Sequence, residues 1–410
     1  MDKFAHRKGK AVLHFRDREG RPLAGKAVEV RQKKQEFLFG CNAFDTLELC
    51  QENLDSERKE ILQERMKLWL DLFNFATLPF YWGQYEPEEG RPNQQNLMAA
   101  AQFLKKRGIT IKGHPLCWHT QTAPWLLELT NEEILERQLM RIRREVSTFK
   151  GTIDAWDVIN EVVIMPVFDK YDNGITRICR DLGRIKLVKK VFEEAKKADP
   201  GAMLLINDFN TSQAYEILIE GCLEAGVPIS AIGIQSHQHQ GYWGLEKLRE
   251  VLERFSHFGL PLHFTENTLI SGHLMPPEIE DLNDYQIPDW PTTPEGEERQ
   301  AREVVEMYTA LFESPYVQAI TTWDFDDDNK WLGAPCGLIR KDNSLKQAYV
   351  ELHKKIKEEW MTQEDLMTDA GGNLEFTGFA GDYEIRCMGE AREISIRKAP
   401  QENYQEIVMG

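Results

Sequence analysis

Eight short apolar runs, rich in β-branched and aromatic residues, constrain the fold of this chain more than any other feature. None of them alternates strictly between apolar and polar residues, so each fits a strand that is buried on both faces. Segments with helical spacing lie between the runs. This alternation predicts an α/β fold, the (β/α)8 or TIM barrel. The runs begin near Phe37, Phe73, Ile109, Ile153, Met203, Ala231, Pro261 and Gln318.

Two of the intervening segments carry clear helical signals. In both, apolar residues recur at steps of three and four, which places them on one helical face. Thr130 and Glu133 supply a capping box before the first segment, and Pro200 with Gly201 ends the second. A doubly wound open sheet is the competing fold, but no glycine-rich phosphate turn follows any of the runs. The two apolar sets are Leu135, Leu139, Ile142, Val146 and Phe149, and Val188, Val191, Phe192 and Ala195.

The two ends of the chain have a different pattern. Residues 1–36 contain two alternating segments around a turn-like REGRP, which predicts a β-hairpin. Residues 361–410 contain three such segments separated by glycine-rich turns, which predicts a three-stranded meander. Because neither piece is large enough to be stable alone, we expect the two to pair into one small β-domain beside a barrel of residues 37–360.

Composition limits the partners. Fifty basic and 67 acidic residues give a net charge of −17, which argues against nucleic acid and anionic membranes as partners. The seven cysteines form no CxxC pair, so we expect neither a disulfide framework nor a metal site, and no cofactor is predicted. The N-terminal residues show no signal peptide, which predicts a cytoplasmic location. A secreted chain trimmed of its leader would have the same N-terminus.

Two glutamates mark the expected site. Catalytic groups in such barrels lie at the carboxyl ends of strands, and Glu161 and Glu266 each come directly after an apolar run. A single glutamate in such a place ordinarily forms an ion pair or caps the N-terminus of a helix. Amide and imidazole side chains at the neighbouring strand ends favour a functional site instead. These neighbours are His114, His119, Asn160, Gln235 and His237.

Glycoside hydrolysis uses two carboxyl groups that face each other across a cleft. One is protonated and donates to the leaving oxygen, whereas the other is ionised and attacks the anomeric carbon or activates water. Their mutual repulsion raises one pKa and so assigns the roles. Trp118, in the motif at the end of the third run, and Trp323 and Trp331, in the motif at the end of the eighth, offer flat faces on which sugar rings pack.

Six segments, taken together and in order, resemble glycoside hydrolase family 10, the endo-β-1,4-xylanases. The resemblance extends from about residue 37 to residue 349. The segment WDVINE is close to the family's WDVVNE, and FTEN stands where the family has its TELD strand. The other four segments are GHPLCWHTQTAPW, INDFN, GIQSH and the closing TTWDFDDDNKW with GLIRKDNSLKQAY.

This resemblance implies a retaining hydrolase acting on plant cell-wall xylan or xylo-oligosaccharides. It implies that Glu161 is the acid/base, that Glu266 is the nucleophile and that Asn160 bonds the sugar 2-hydroxyl. It further implies that His237 orients Glu266. The remaining residues implied to bind substrate are His114, Trp118, His119, Asn207, Gln235, Trp323 and Trp331.

The chain departs from the family pattern after the second run. The family has ENxxKW there, whose three polar side chains hold a sugar on the glycone side. This chain has TLPFYW, with Thr77, Leu78 and Tyr81 at those three positions. Thr268 also replaces an aspartate, and Asp324 replaces a glycine. We therefore expect unusual glycone-side recognition.

Other functions remain open. An exo-acting enzyme or a β-glycosidase of different specificity would use the same scaffold and the same two glutamates. A carbohydrate-binding protein without turnover is a third possibility, against which the presence of both glutamates argues. A long insertion between Ile270 and Glu298, after the seventh run, either reshapes the cleft or forms a solvated surface loop.

Overall fold

The computed structural model describes residues 2–328, 330–398 and 403–410. Residue 329 of the TTWDFDDDNKW motif, residue 1 of the N-terminal segment and residues 399–402 of the C-terminal segment lie outside the described residues.

Strands and helices alternate through most of the described chain. The strands, in chain order, are β1 (Lys8–Arg16), β2 (Ala27–Gln35), β3 (Leu38–Asn42), β4 (Phe75–Pro79), β5 (Thr110–His114), β6 (Ala155–Asn160), β7 (Met203–Asp208), β8 (Ala231–Ile234), β9 (His237–Gln238), β10 (Leu262–Leu269), β11 (Val317–Thr322), β12 (Gln363–Met367), β13 (Asn373–Phe379), β14 (Gly381–Cys387), β15 (Glu390–Ile396) and β16 (Asn403–Val408). The helices are α1 (Asp45–Leu49), α2 (Ser56–Leu72), α3 (Trp82–Tyr85), α4 (Gln94–Lys105), α5 (Asn131–Thr148), α6 (Gly174–Leu182), α7 (Arg184–Ala198), α8 (Gln213–Glu224), α9 (Gly244–Ser256), α10 (Pro294–Glu313) and α11 (Gln347–Lys354).

Eight parallel strands form a closed ring. In order around the ring they are β3, β4, β5, β6, β7, β8, β10 and β11, and β11 pairs again with β3. We refer to them as barrel strands one to eight. The two-residue β9 adds a short extension to strand seven. The predicted fold class is confirmed, because all eight apolar runs became barrel strands with helices between them.

The helices cover the outside of the ring with the faces that their sequences predict, apart from one rotation. Helix α7 buries Val188, Val191, Phe192 and Ala195, and α5 has the predicted capping box at Thr130. The buried face of α5, however, also contains polar residues, and Leu135 and Leu139 are only half-buried. The face is rotated because Gln138 donates to the buried Leu116 carbonyl in the loop after strand three (3.0 Å).

The two ends of the chain pair with each other in two sheets. One sheet has the order β13–β1–β16, and the other has the order β12–β2–β14–β15. The sheets share one apolar core, to which Leu13 and Phe15 contribute from β1, Val30 from β2 and Ile385 from β14. Each sheet therefore needs strands from both ends of the chain.

The predicted N-terminal hairpin of residues 1–36 is wrong. Strands β1 and β2 lie in different sheets, and only an isolated bridge between Arg16 and Pro22 continues the turn. The turn itself forms, with the Asp17 amide donating to the Arg21 carbonyl (2.9 Å). Pro22 has no N–H with which to extend a ladder, and separating the strands lets both bury their apolar faces in the shared core.

The predicted three-stranded meander in residues 361–410 is wrong in part. Strands β14 and β15 do form an antiparallel pair. Strand β13 instead pairs with β1, and Ala380 alone separates it from β14. The chain changes sheets at this residue, because each sheet needs an apolar face opposite the other. The division of the chain at residues 36 and 360 stays a prediction.

Across the described ranges, no helix is long and apolar enough to cross a membrane.

The position of β1 between β13 and β16 leads to a testable prediction. Phe15 is fully buried between the two sheets, so Phe15→Ala leaves a cavity and lowers the free energy of unfolding of these sheets by about 3–5 kcal/mol. Hydrogen exchange measured by mass spectrometry should show faster exchange in β13 and β16 as well as in β1. Met367→Ala, at an exposed position of β12, is the control and should change little. Faster exchange confined to β1 would contradict the pairing.

Candidate active site

The two glutamates lie at the same end of the barrel. Glu161 directly follows strand four, and Glu266 lies within strand seven, near its carboxyl end. Only 4% of Glu266 is exposed to solvent, whereas Glu161 is half-buried. The backbone of Glu161 has φ = 56°, a conformation that costs a side-chain-bearing residue energy and is concentrated at functional sites. The amide of Glu161 donates to the Asn207 carbonyl on strand five (2.8 Å), which holds this conformation.

Two asparagines connect the carboxylates. The Asn207 amide donates both to Glu266 Oε1 (2.8 Å) and to Asn160 Oδ1 (2.8 Å). The Asn160 amide donates in turn to Glu161 Oε1 (3.2 Å). Thr265 fixes the orientation of Asn207 by donating to its Oδ1 (2.7 Å). This chain of bonds holds the two glutamates in one site.

Two further side chains complete the hydrogen bonding. Gln235 Nε2 donates to Glu161 Oε1 (3.2 Å) and to Asn160 Oδ1 (3.1 Å). His237 Nε2 lies 3.1 Å from Glu266 Oε2. Each glutamate therefore has polar contacts on both of its oxygens once Trp118, which donates to Glu161 Oε2 (2.8 Å), is included.

The pKa values of the two carboxyls are displaced in opposite directions. Burial raises the pKa of Glu161 to about 8, and the negative charge of Glu266 adds to this effect, while the bonds from Trp118 and Gln235 oppose it. Burial also acts to raise the pKa of Glu266. The charge of His114, the bond from His237 and the charge of Lys112 outweigh burial, so the pKa of Glu266 lies below its usual value. At neutral pH the site holds one protonated and one ionised carboxyl.

Aromatic rings line the site beside the glutamates. Trp323 lies against His114 with ring centroids 5.3 Å apart, and Tyr81 lies against Trp118 at 5.7 Å. Trp331 packs on His237 at 4.8 Å. The structure thus brings all eleven predicted site residues into one connected network around the glutamates, which His119 joins through a ring contact with Trp118 (centroids 6.4 Å apart).

His119 is the least connected of the predicted set. It is buried, its ring packs edge-on against Phe168 at 4.5 Å, and its Nδ1 has no hydrogen-bond partner among the described residues. Burial lowers its pKa to about 4, so His119 is neutral at physiological pH. Its contacts place it behind Trp118, where it supports the loop after strand three.

The segment TLPFYW, which begins in strand two and continues past its end, is mostly apolar, as its sequence indicates. Leu78 is fully buried in the core, and Thr77 is buried with no partner for its hydroxyl in the described part of the chain. Tyr81 reaches the site, where its ring also contacts Phe44 at 6.1 Å. Glu86, four residues after Trp82, accepts from Arg144 (2.6 Å) and from Trp82 (3.0 Å), so its role is structural.

Thr268 and Asp324 are the two other departures from the family pattern. The Thr268 hydroxyl accepts from the Gln238 amide (3.0 Å) and lies 3.4 Å from His237 Nδ1. An uncharged group therefore stands behind this histidine. Asp324 is buried, which raises its pKa to about 7 despite the opposing charge of Lys330.

Sequence reasoning missed a buried ion pair beneath the site. Lys112 Nζ lies 2.6 Å from Asp157 Oδ2, and both side chains are fully buried. The same Asp157 oxygen lies 2.7 Å from His114 Nδ1 and so orients that ring. Charged residues inside strands three and four, in ITIKG and WDVINE, were the signal that could have found this pair. In the described residues, no group of three His, Cys, Asp or Glu side chains could hold a metal ion.

Comparisons with known proteins identify the family. The family model for glycosyl hydrolase family 10 matches residues 55–355. A β-1,4-xylanase of Dictyoglomus thermophilum is 31% identical over 239 residues, which cover 56% of this chain and 64% of that protein. An endo-1,4-β-xylanase/feruloyl esterase of Xylanibacter ruminicola is 28% identical over 298 residues, which cover 64% of this chain but 39% of that protein.

Solved structures show the same fold. Native xylanase 10B of Thermotoga maritima superposes with a TM-score of 0.62 at 25% identity, covering 79% of this chain and 97% of that protein. Xylanase 10B of Thermotoga petrophila, solved in complex with xylobiose, superposes with a TM-score of 0.64 at 23% identity, covering 79% of this chain and 94% of that protein. Since the family model matches well over half of its length, this chain belongs to glycosyl hydrolase family 10.

Proposed function

We propose that this protein hydrolyses β-1,4-xylosidic bonds in xylan or xylo-oligosaccharides by a retaining double displacement. The observation that carries the proposal is the pair of connected glutamates whose pKa values are displaced in opposite directions. One site thereby holds a proton donor and a nucleophile at the same pH. The xylanases to which the chain is similar support xylan as the substrate class.

In the first displacement, Glu266 attacks the anomeric carbon and forms a covalent glycosyl–enzyme ester. The bond to the leaving oxygen breaks, and Glu161 gives its proton to that oxygen. His237 and Asn207 each hold one oxygen of Glu266, which keeps the carboxylate oriented for attack.

In the second displacement, Glu161 is ionised and takes a proton from water. The water oxygen attacks the anomeric carbon, the ester bond to Glu266 breaks, and the sugar leaves with its original configuration. The proton taken from water stays on Glu161, so the enzyme regains its starting protonation state. Asn160, whose amide bonds Glu161, is positioned beside the sugar in both steps, and we assign it to the 2-hydroxyl.

The sugar on the glycone side of the cleft is recognised in an atypical way. A buried Leu78 and the Tyr81 ring replace polar side chains that would each contribute about 0.5–1.5 kcal/mol through a hydrogen bond. The aromatic wall of Phe44, Tyr81 and Trp323 favours stacking over hydrogen bonding at this position. Stacking is less sensitive to the position of each hydroxyl.

Two other functions stay open. An exo-acting or differently specific β-glycosidase would show the same chemistry but prefer a different substrate. A carbohydrate-binding protein would bind xylo-oligosaccharides without hydrolysing them. Steady-state rates on xylan, xylobiose, an aryl β-xyloside and an aryl β-glucoside distinguish these functions. The binding protein has no rate on any of the four, and the differently specific enzyme is faster on the aryl β-glucoside than on the aryl β-xyloside.

The opposite pKa displacements predict the pH profile. Activity requires protonated Glu161 and ionised Glu266, so kcat/KM should fall as pH rises through about 8 and fall again only below the ordinary range of a glutamate. Glu161→Gln removes the proton donor, so kcat/KM on xylobiose should fall by about 10²–10⁴-fold, and the basic limb of the profile should disappear.

Aryl β-xylosides provide the internal control for this prediction. A good leaving group needs no proton, so Glu161→Gln should slow its departure far less. Glu266→Gln should be inactive on both substrates, and Glu250→Gln, at an exposed position of α9, should match the parent. A Glu161→Gln variant that keeps a basic limb near pH 8 would contradict the assignment.

The apolar glycone side predicts a weak dependence on glycone length. Extending an aryl β-xyloside to the aryl β-xylobioside should raise kcat/KM by less than about tenfold, since the polar side chains that would bind the added sugar are missing. The measurement is kcat/KM for both substrates under the same conditions. An increase of more than about a hundredfold would show that another polar group binds the added sugar.

A further inference from the structure

The insertion after strand seven is a folded structure rather than a solvated loop. We call residues 270–293 the strand-seven insertion; the final residues of the segment noted in the sequence, from Pro294, begin α10. Ile270, Met275 and Trp290 of the insertion are buried together with Ala334 and Cys336, from the loop after strand eight. An apolar cluster therefore fixes the base of the insertion.

The insertion also contacts the loop after strand six. Gln240 Nε2 donates to the carbonyls of Pro276 (3.0 Å) and Ile279 (2.8 Å), and the Met275 amide donates to the His239 carbonyl (2.9 Å). These bonds direct the insertion across the end of strand six.

The tip of the insertion, residues 281–284, bonds to two further loops. Lys170, in the loop after strand four, forms ion pairs with Asp281 (2.6 Å) and Asp284 (2.8 Å). Trp331, in the loop after strand eight, donates from its indole to Asn283 Oδ1 (3.1 Å). We call Lys170, Asp281 and Asp284 the clasp.

The order of the strands places this tip over the barrel mouth. Strands four and eight are diametrically opposite in the closed ring of eight. A short turn that contacts the loops of both strands has to lie between them, above the ring. The strand-seven insertion and the clasp together run from strand seven to the loop after strand four, on the side of the ring that holds strands five and six.

Both ends of this bridge rest on groups next to the glutamates. Trp331 packs on His237, which contacts Glu266. On the other side, Lys170 is followed by Tyr171, which packs on Phe168 with ring centroids 4.8 Å apart. Phe168 in turn packs on His119 at 4.5 Å, and His119 lies against Trp118, whose indole donates to Glu161.

We propose that the clasp determines specificity by closing the cleft on the side of strands five and six. This inference rests on the proposed function, in which the glycone lies by strand two. Strand six is diametrically opposite strand two, so the enclosed side is that of the leaving group. The enzyme therefore cleaves bonds whose leaving group is short, near the reducing ends of chains, and long internal segments of xylan are poor substrates.

The clasp is able to open because its side chains remain partly exposed. The exposed fractions are 42% for Lys170, 34% for Asp281 and 64% for Asp284, so water and salt screen the two ion pairs. The apolar cluster at the base keeps the insertion folded when the tip is released. Removing the clasp should therefore change access without unfolding the site.

The experiment compares Lys170→Met with the parent on three substrates: soluble xylan, xylotriose and an aryl β-xyloside. We expect the parent to release mainly xylose and xylobiose, and we expect kcat/KM on xylan to rise in the variant by about three- to tenfold relative to that on the aryl xyloside. The products from xylan should shift to longer oligosaccharides. Reducing-end labelled xylo-oligosaccharides show which bond is cut.

A second variant and a matched control separate the clasp from a general effect of charge. Asp281→Asn with Asp284→Asn removes the two pairs from the other side and should reproduce the Lys170→Met shift. Lys247→Met breaks an exposed pair with Glu250 on α9 and should leave the ratio unchanged. In the parent, but not in Lys170→Met, raising the salt concentration should increase the xylan to aryl xyloside ratio.

Two results would overturn the proposal. One is a parent enzyme that already cuts xylan internally into long products, and the other is an unchanged xylan to aryl xyloside ratio in both clasp variants. Failure of the proposed function gives a different result, since a parent without activity on the aryl xyloside lacks the chemistry itself. Normal aryl xyloside rates in every variant show that the glutamate site has stayed intact.

Discussion

The amide of Asn207 is the contact on which the site depends. It donates to Glu266 and to Asn160 at once, and the Asn160 amide then reaches Glu161. Glu266 is thus held buried beside the half-buried Glu161, so their charges interact more strongly than they would in water. Burial raises the pKa of Glu161, and the histidines around Glu266 reverse the effect of burial there. The division of chemical roles follows from this difference in surroundings.

The barrel supplies these surroundings from residues on many strands. Asn207 lies on strand five, Glu266 on strand seven and His114 on strand three. Beneath them, the Lys112–Asp157 ion pair is fully buried. Removal of either partner would leave an uncompensated charge in the interior, which typically costs about 3–5 kcal/mol. The floor of the site therefore depends on both partners of this pair.

The parts of the structure that sequence predicted are those set by local pattern. The eight runs lose apolar–polar alternation because both faces of a barrel strand are covered, and this loss is visible in the letters alone. The pairing of β1 and β2 was not predictable in this way, since both alternate as hairpin strands do. Their separation depends on which strands from the other end of the chain, β13 and β14, offer an apolar face. The rotation of α5 likewise depends on a loop carbonyl distant in sequence.

In the candidate site, too, local sequence pattern predicted some features, and contacts between distant residues determine the others. The sequence showed the two glutamates directly after apolar runs. It showed Lys112 and Asp157 only as charged residues inside predicted strands, and it gave no sign of the clasp. The contact between Lys170 and Asp281 joins the loops after strands four and seven, and no spacing rule relates the two residues. Chemistry fixed by strand ends is therefore readable from sequence, whereas access to it depends on loops that meet across the mouth. Because the strands hold both glutamates, the loops can change which bond reaches them while the bond-breaking groups stay in place.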